Sequence, residues 1–248
     1  MNNYFLKPFC LHSTILFYHF STSFILSTSP TSTKTYLFLI SVAPVQSFIS
    51  EARKTHDLFA GSRILSEMTN EGMKIFTTLN EGINKEKGVV IFPNPENESK
   101  PNRFLGEIKG TENELRKLGQ KIEEKIRGKF EKFGEDALKK TSLNYEIEKR
   151  KNKFEDEKEY QKEREKVKEE FKQEFDNQIR NHLEISWLFE EIKDDDYKTA
   201  YKNIETHLEA VKNTRGFDAF TEIGRKCSID GKNNALLFGN KSKTPFYF

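Results

Sequence analysis

The side chains best suited to chemistry gather behind one apolar run. They begin with Ser41-Val-Ala-Pro-Val-Gln46, continue through Arg53-Lys54-Thr55-His56-Asp57 and end at Gly61-Ser62-Arg63. A tight turn leading into a helix presents backbone N–H groups, which suit a phosphate. On that reading Gln46 meets a base edge, Arg53, Lys54 and Arg63 neutralise phosphate charge, and the hydroxyls of Ser41 and Ser62 stand nearby. The plainer alternative is a surface helix with an apolar inner face, because isolated basic residues on helices are common. His56-Asp57 has the order of the metal-binding dyad of phosphohydrolases, a site that needs further His and Asp ligands. His12, His19, His182 and His207 form no such supporting motif, so His56 reads as a helix-face histidine. Cys227-Ser-Ile-Asp230-Gly231 has the outline of a zinc knuckle without its second cysteine. Structural zinc takes four ligands, mostly Cys and His, so a turn with a buried thiol is the simpler reading. The chain has no Gly-rich phosphate loop with Lys-Ser/Thr, no Gly-Gly-Asp-Asp hairpin for catalytic magnesium and no Ser-His-Asp order. No catalytic and no metal-binding residue is assigned.

These residues need elements to position them. Tyr36–Val42 is an uninterrupted apolar run of strand length, the pattern of a strand buried on both faces. Pro44 ends it and suits a first helical turn. Phe48, Ile49, Ala52 and Phe59 then fall at helical spacing, Gly61-Ser62 punctuates, and Ile64, Leu65, Met68, Ile75, Phe76 and Leu79 continue the stripe. Val89–Phe92 predicts a short strand stopped by Pro93 and Pro95, and residues 103–109 a third strand with Phe104 and Ile108 on one face. Thr111 and Glu114 have capping-box spacing ahead of the stripe Leu115, Leu118, Ile122 and Ile126. Alternation from Leu183 to Glu190, broken only by Leu188, predicts a half-buried strand. Asp194-Asp195-Asp196 places acids at a helix start. Tyr197, Ala200, Tyr201, Ile204, Leu208 and Val211 give that helix one apolar face, ending near Gly216. Beyond it, Asp230-Gly231 and Asn233-Asn234 carry turn chemistry, and Ala235–Phe238 predicts a strand. The order β-α-β-β-α-β is the ferredoxin-like arrangement, an α+β fold with two helices on one face of an antiparallel sheet.

Composition agrees with an uneven chain. The 248 residues include 41 basic and 39 acidic side chains, so 32% are charged while the net charge is only +2. A protein that binds polyanions through bulk charge is thereby excluded. Residues 111–180 alone hold 20 basic and 19 acidic side chains, whereas residues 1–35 hold only Lys7 and Lys34. The charged stretch at about 134–180 reads as a helical excursion held by intrahelical ion pairs, with Val167, Phe171, Phe175 and Ile179 repeating every four residues. Residues 1–35 read as an atypical, disordered extension, 36–215 as the folded body and 216–248 as a truncated linker or knuckle-like segment. Two distant cysteines exclude a disulfide framework and favour a reducing, cytoplasmic compartment. Past residue 35 no stretch stays apolar for the roughly 20 residues that a membrane span requires.

The run from Tyr36 through Ala-Pro44-Val-Gln46-Ser-Phe-Ile and Ala52-Arg-Lys-Thr-His-Asp57-Leu-Phe-Ala-Gly61-Ser62 resembles the opening of a known family. That family is the large, polymerase/cyclase-like subunit of type III-B CRISPR effector complexes, the Cmr complexes. Pro101-Asn-Arg-Phe104 and Gly224-Arg-Lys-Cys-Ser-Ile-Asp-Gly231 are similar to further family segments, so the resemblance covers about residues 36–240. It implies a ferredoxin-like, palm-like domain in RNA-guided antiviral defence, within a subunit that makes cyclic oligoadenylates from ATP. It also implies partners: other effector subunits, a guide RNA–target RNA assembly and a second palm domain bearing the metal carboxylates. His56 stands where the family often has Arg, and Asp230 where some members have a second zinc cysteine. Neither the His-Asp nuclease domain nor the Gly-Gly-Asp-Asp palm is present. The expectation is an amino-terminal, non-catalytic palm fragment that needs no cofactor of its own and walls an ATP pocket in the full-length context. Ser41, Gln46, Arg53, Lys54 and Ser62 are its candidate nucleotide or domain contacts. A stand-alone RNA- or nucleotide-binding module, stacking bases on exposed sheet aromatics, is the alternative from another class; Trp187 and Phe189 suit either that face or an apolar patch for a partner domain, and a non-functional gene product is the third reading.

Overall fold

A computed structural model describes residues 33–139, 156–213, 226–227, 231 and 233–236, apart from the side chains of residues 47, 48 and 167. In chain order the elements are β1 (Lys34–Ala43), α1 (Gln46–Ser50), α2 (Thr55–Phe76), β2 (Val89–Phe92), β3 (Arg103–Gly110), α3 (Glu112–Lys139), α4 (Glu157–His182), β4 (Glu184–Glu191) and α5 (Tyr197–Asn213). The chain forms two compact units. Among the described residues, one holds 33–42, 69–124 and 185–213; the other holds 43–68, 125–139, 156–184 and those between 226 and 236.

The first unit is built on a four-stranded sheet of order β2-β3-β1-β4. β3 runs antiparallel to both β1 and β2, with Lys34 opposite Gly110 and Ser41 opposite Arg103. Ile192 N–H donates to the Thr35 carbonyl at 2.9 Å, and Lys34 pairs with Glu191. The end of β4 therefore lies beside the start of β1, as antiparallel neighbours do.

Strand alternation sorts the side chains into two cores. On one face Phe38 stacks on Phe76 at 5.1 Å and on Phe189 at 4.5 Å, and meets Phe104 edge-on at 5.5 Å. The α3 stripe Leu115, Leu118 and Ile122 is fully buried. Phe76 occupies space that only glycine leaves open: a Cβ at Gly106 or Gly88 would stand 2.3 Å from its ring. The intervening loop is tied by two buried amides. Asn80 Nδ2 donates to the Thr78 carbonyl and to Asn84 Oδ1, and Asn84 Nδ2 donates to the Glu86 carbonyl. Gly88 N–H then reaches the Phe76 carbonyl at 2.9 Å.

The opposite face is covered as well. Leu37, Leu39, Leu105 and Leu188 pack with Ala200, Ile204 and Leu208 of α5. This corrects the half-buried strand expected at residues 183–190. Trp187 and Phe189 point to one core while Leu188 enters the other, so the second half of β4 is buried on both sides. The break in alternation at Leu188 was the trace of α5. Tyr197 and Tyr201 depart from the expected stripe, since both are exposed and stack on each other at 6.3 Å.

α2, whose residues up to Met68 belong to the second unit, runs unbroken through Gly61-Ser62, which does not punctuate it; the break falls at residues 51–54. Hydroxyls end the helix instead, with Thr77 Oγ1 donating to the Met73 carbonyl and Thr78 Oγ1 to that of Lys74. The later part of α3 and α4 form an antiparallel pair. Arg127 donates to the Leu183 carbonyl at 3.1 Å, Phe130 stacks on His182, and Gly134 lies against Phe175 and Ile179. On α4 the pairs Lys168–Glu165 and Lys172–Asp176 supply the expected intrahelical ionic support.

The α3 capping box forms as its spacing predicts. Thr111 N–H and Oγ1 both donate to Glu114 Oε2 at 2.9 Å, and Glu114 N–H donates to Thr111 Oγ1 at 3.4 Å. The Thr111 backbone bond, with lesser help from its hydroxyl and Lys85, holds the Glu114 carboxyl below its ordinary 4.5. A carboxyl lowered in this way stabilises the fold above its unfolded pKa and ceases to do so as pH falls through the folded value. Glu114→Ala is expected to cost about 1 kcal/mol at neutral pH, and urea melts should show the gap closing in acid below the ordinary carboxylate range. A matched pair of glycines on α3 tests the aromatic core. A Cβ at Gly119 would stand 2.6 Å from the rigid Trp187 ring, whereas Gly128 has nothing within 4 Å. Gly119→Ala should destabilise by about 1–3 kcal/mol, while Gly128→Ala should stabilise by about 0.5–1 kcal/mol, both read from denaturant midpoints.

Candidate functional site

The turn between α1 and α2 is organised by one carboxylate. Asp57 Oδ2 accepts the backbone N–H groups of Arg53 at 3.2 Å and Lys54 at 3.0 Å. Local side-chain capping of this kind competes with continued helix, which is why the chain breaks here and restarts at Thr55. Two of the N–H groups expected to be open to a phosphate are thus already satisfied. What the turn offers outward is side chains. Gln46, Arg53, Lys54 and Ser62 are all exposed, as are Ile49, Leu58 and Phe59 among them. Arg63, exposed on α2, is paired with Glu67 at 2.9 Å. His56 is exposed, and its neighbour Asp57 serves the backbone, so the pair does not act as a metal dyad. Among the described residues no three His, Cys, Asp or Glu side chains could hold a metal ion.

Ser41 stands apart from this group. It lies in β1 within the first unit, 1% exposed, and its Oγ has no hydrogen-bond partner. Its register partner Arg103 is held by Glu205 of α5 at 3.1 Å. Of the five candidates, four share the exposed α1–α2 segment of the second unit, and Ser41 is buried in the first.

One concavity was missed in sequence. A cavity of about 300 Å³ opens at the β4–α5 junction, lined by Glu190, Glu191, Lys193, Asp194, Asp196 and Asn203 among others. Asp194 and Asp195 adopt left-handed backbone with φ of 51° and 57°, a conformation that Asp tolerates. Asp196 caps α5, and the Thr199 hydrogen bonds hold its carboxyl below the ordinary value of 3.8. Glu190 accepts from Asn203 at 3.1 Å and faces His207 at 3.5 Å. The run Asp194-Asp195-Asp196 was the available signal, but it reads as capping. A wall this acidic repels a nucleotide phosphate.

The two aromatic residues considered for base stacking are 1% and 2% exposed, and Trp187 Nε1 donates to Glu123 at 2.9 Å. Both belong to the core, not to a stacking platform. Near the carboxy terminus, Cys227 N–H donates to the Asn233 carbonyl, and Gly231 N–H returns to the Cys227 carbonyl. This is the turn anticipated there, with Cys227 half-buried, not fully buried. Asp230 lies outside the described residues, as do residues 1–32; of the strand expected over Ala235–Phe238 only Ala235 and Leu236 are described, and neither is in a strand. Among the described residues no helix is long and apolar enough to cross a membrane.

No curated protein matches the chain. The family model described as CRISPR-associated protein Cmr2, N-terminal, matches residues 37–184, more than half of the sequence. That span takes in the sheet from β1 to the first residue of β4 together with the α1–α2 turn. The chain belongs to this family, the amino-terminal region of the large subunit of type III-B CRISPR effector complexes.

Proposed function

We propose that this chain is a ferredoxin-like, palm-like and non-catalytic body that walls an ATP pocket and takes part in assembly of the effector. The strand order β2-β3-β1-β4 carries the reading. With crossovers through α2 and α3, it is the arrangement that the β-α-β-β-α-β order generates when consecutive hairpins and right-handed crossovers are satisfied. The family match adds the context of a multi-subunit complex.

In that role the exposed α1–α2 side chains do the recognition. Arg53 and Lys54 neutralise phosphate charge, Gln46 meets a base edge or a neighbouring domain, and Ser62 offers a hydroxyl. The Asp57 carboxylate holds the backbone of both cationic residues in the turn. Ser41, being buried, supports β1 from within and needs a rearranged strand end to reach a ligand. ATP belongs to the assembled site, where a second palm supplies the carboxylates that grip magnesium. The chain alone therefore catalyses neither cyclisation nor nuclease chemistry, and the setting is cytoplasmic, alongside guide and target RNA.

Charge-assisted contacts of about 1.5–3 kcal/mol each are at stake. Arg53→Glu with Lys54→Glu should weaken nucleotide binding by the assembled effector at least tenfold, measured by calorimetric titration, without lowering the melting temperature of the chain. The purified chain with ATP and manganese should yield no oligoadenylate by chromatography; robust product, or unaltered affinity in the double variant, would overturn the reading.

A further inference from the structure

β2 ends the sheet, and its outer edge is paired with no strand among the described residues. Its sequence, Val89-Val90-Ile91-Phe92, has no charge, and three of its four side chains are exposed: Val89 at 66%, Ile91 at 45% and Phe92 at 49%. Edge strands expose a row of unpaired backbone groups, and proteins usually blunt them with charge, brevity, bulges or proline. Here brevity, a bulge at Ile91 and a terminating Pro93 are present, but charge is missing. Such an edge accepts a short partner strand and halts extension beyond it.

The flanks say which strand fits. Lys85-Glu86-Lys87 precedes β2 with one net positive charge, and Glu96, Glu98 and Lys100 follow it with one net negative charge. An antiparallel partner must therefore bring acidic residues past its carboxy-terminal end and basic residues before its amino-terminal end. It must also be apolar between them. β2 itself meets this description. We infer that β2 is a self-pairing edge, where two copies of this chain join their sheets across a two-fold axis. Val89 lies opposite Phe92 of the second copy, and Val90 opposite its Ile91. The basic approach of each strand then faces the acidic exit of the other, as an isologous interface requires.

The packing of the first unit reinforces the apolar side of this contact. Val89 is in register with Glu107, and Phe92 with Leu105, so both share the sheet face that carries α5. On that face the stacked Tyr197 and Tyr201 remain exposed, and Tyr197 stands near enough to Glu107 for its carboxylate to help raise the phenol's pKa, after burial. Five of the large exposed hydrophobic side chains thus belong to β2 and the neighbouring surface of α5. Pairing of two β2 strands brings the apolar half of that strip from each copy together.

Sedimentation equilibrium of the full chain over a wide concentration range tests this. A reversible dimer is expected. Ile91→Lys, which places charge on the edge, should raise its dissociation constant by about tenfold or more. Lys87→Glu alone and Glu96→Lys alone should each weaken it by about two- to fivefold, and the double variant, which exchanges the flanks, should restore it. Circular dichroism melts check that each variant folds; if Ile91→Lys does not, the charge exchange decides, since it leaves the strand untouched. A chain that is monomeric at every concentration, a dimer indifferent to Ile91→Lys, or a double variant weaker than either single one would overturn the inference. A strand supplied by another effector subunit would appear as the monomeric outcome. None of these results bears on nucleotide binding by Arg53 and Lys54, so the two readings fail separately.

Discussion

The fit of the Phe76 ring between Gly88 and Gly106 sets the geometry of the first unit. Each glycine leaves a space that a Cβ would fill at 2.3 Å from the ring. The ring in turn stacks on Phe38 and tilts against Phe104, both centred in the sheet. The last turn of α2 is therefore locked to the middle of β1 and β3 by aromatic shape, not merely by apolar character. Fully burying such a side chain contributes about 1.5–3 kcal/mol, and dense interiors transmit any change in its position. The Asn80–Asn84 pair serves the same constraint, since it shapes the loop that brings Gly88 back to the Phe76 carbonyl.

With that face sealed, coverage of the other face decides what the sheet can do. α5 lays Ala200, Ile204 and Leu208 on Leu37, Leu39 and Leu188. The sheet is thereby the middle layer of three, and its central strands offer no surface to a base or a phosphate. The exposed chemistry lies elsewhere, on the α1–α2 turn in the second unit and on the β2 edge in the first. The turn bears cations and a serine hydroxyl beside exposed apolar residues, and the edge bears almost only apolar side chains.

Many of the ion pairs among the described residues are local. Among the described residues of 111–180, charges form i,i+3 and i,i+4 pairs along α4 and a few contacts between helices, such as Lys129 with Glu67 at 3.8 Å. Exposed pairs of this type contribute little singly; their use is to keep long, polar helices soluble and helical. The more consequential carboxylates are those that serve backbone amides. Glu114, Asp57 and Asp196 each satisfy N–H groups at a helix start, where the helix dipole favours negative charge.

Local rules carried far in this sequence. Continuous apolarity marked β1, the spacing of Thr111 and Glu114 gave the capping box, and Pro93 marked the end of β2, because each depends on neighbours within a few residues. The family was legible in the same way, from the contiguous run between Tyr36 and Ser66. Tertiary packing alone decided the rest. Periodicity cannot say which sheet face a later helix covers, so α5 turned a half-buried strand into a doubly buried one and left Tyr197 and Tyr201 outside. Nor could it separate Ser41 from the other candidate contacts. Residue spacing along a strand and helix does not reveal that a hydroxyl points into packed interior, while cations a dozen residues later stand in solvent on a turn that Asp57 had already claimed.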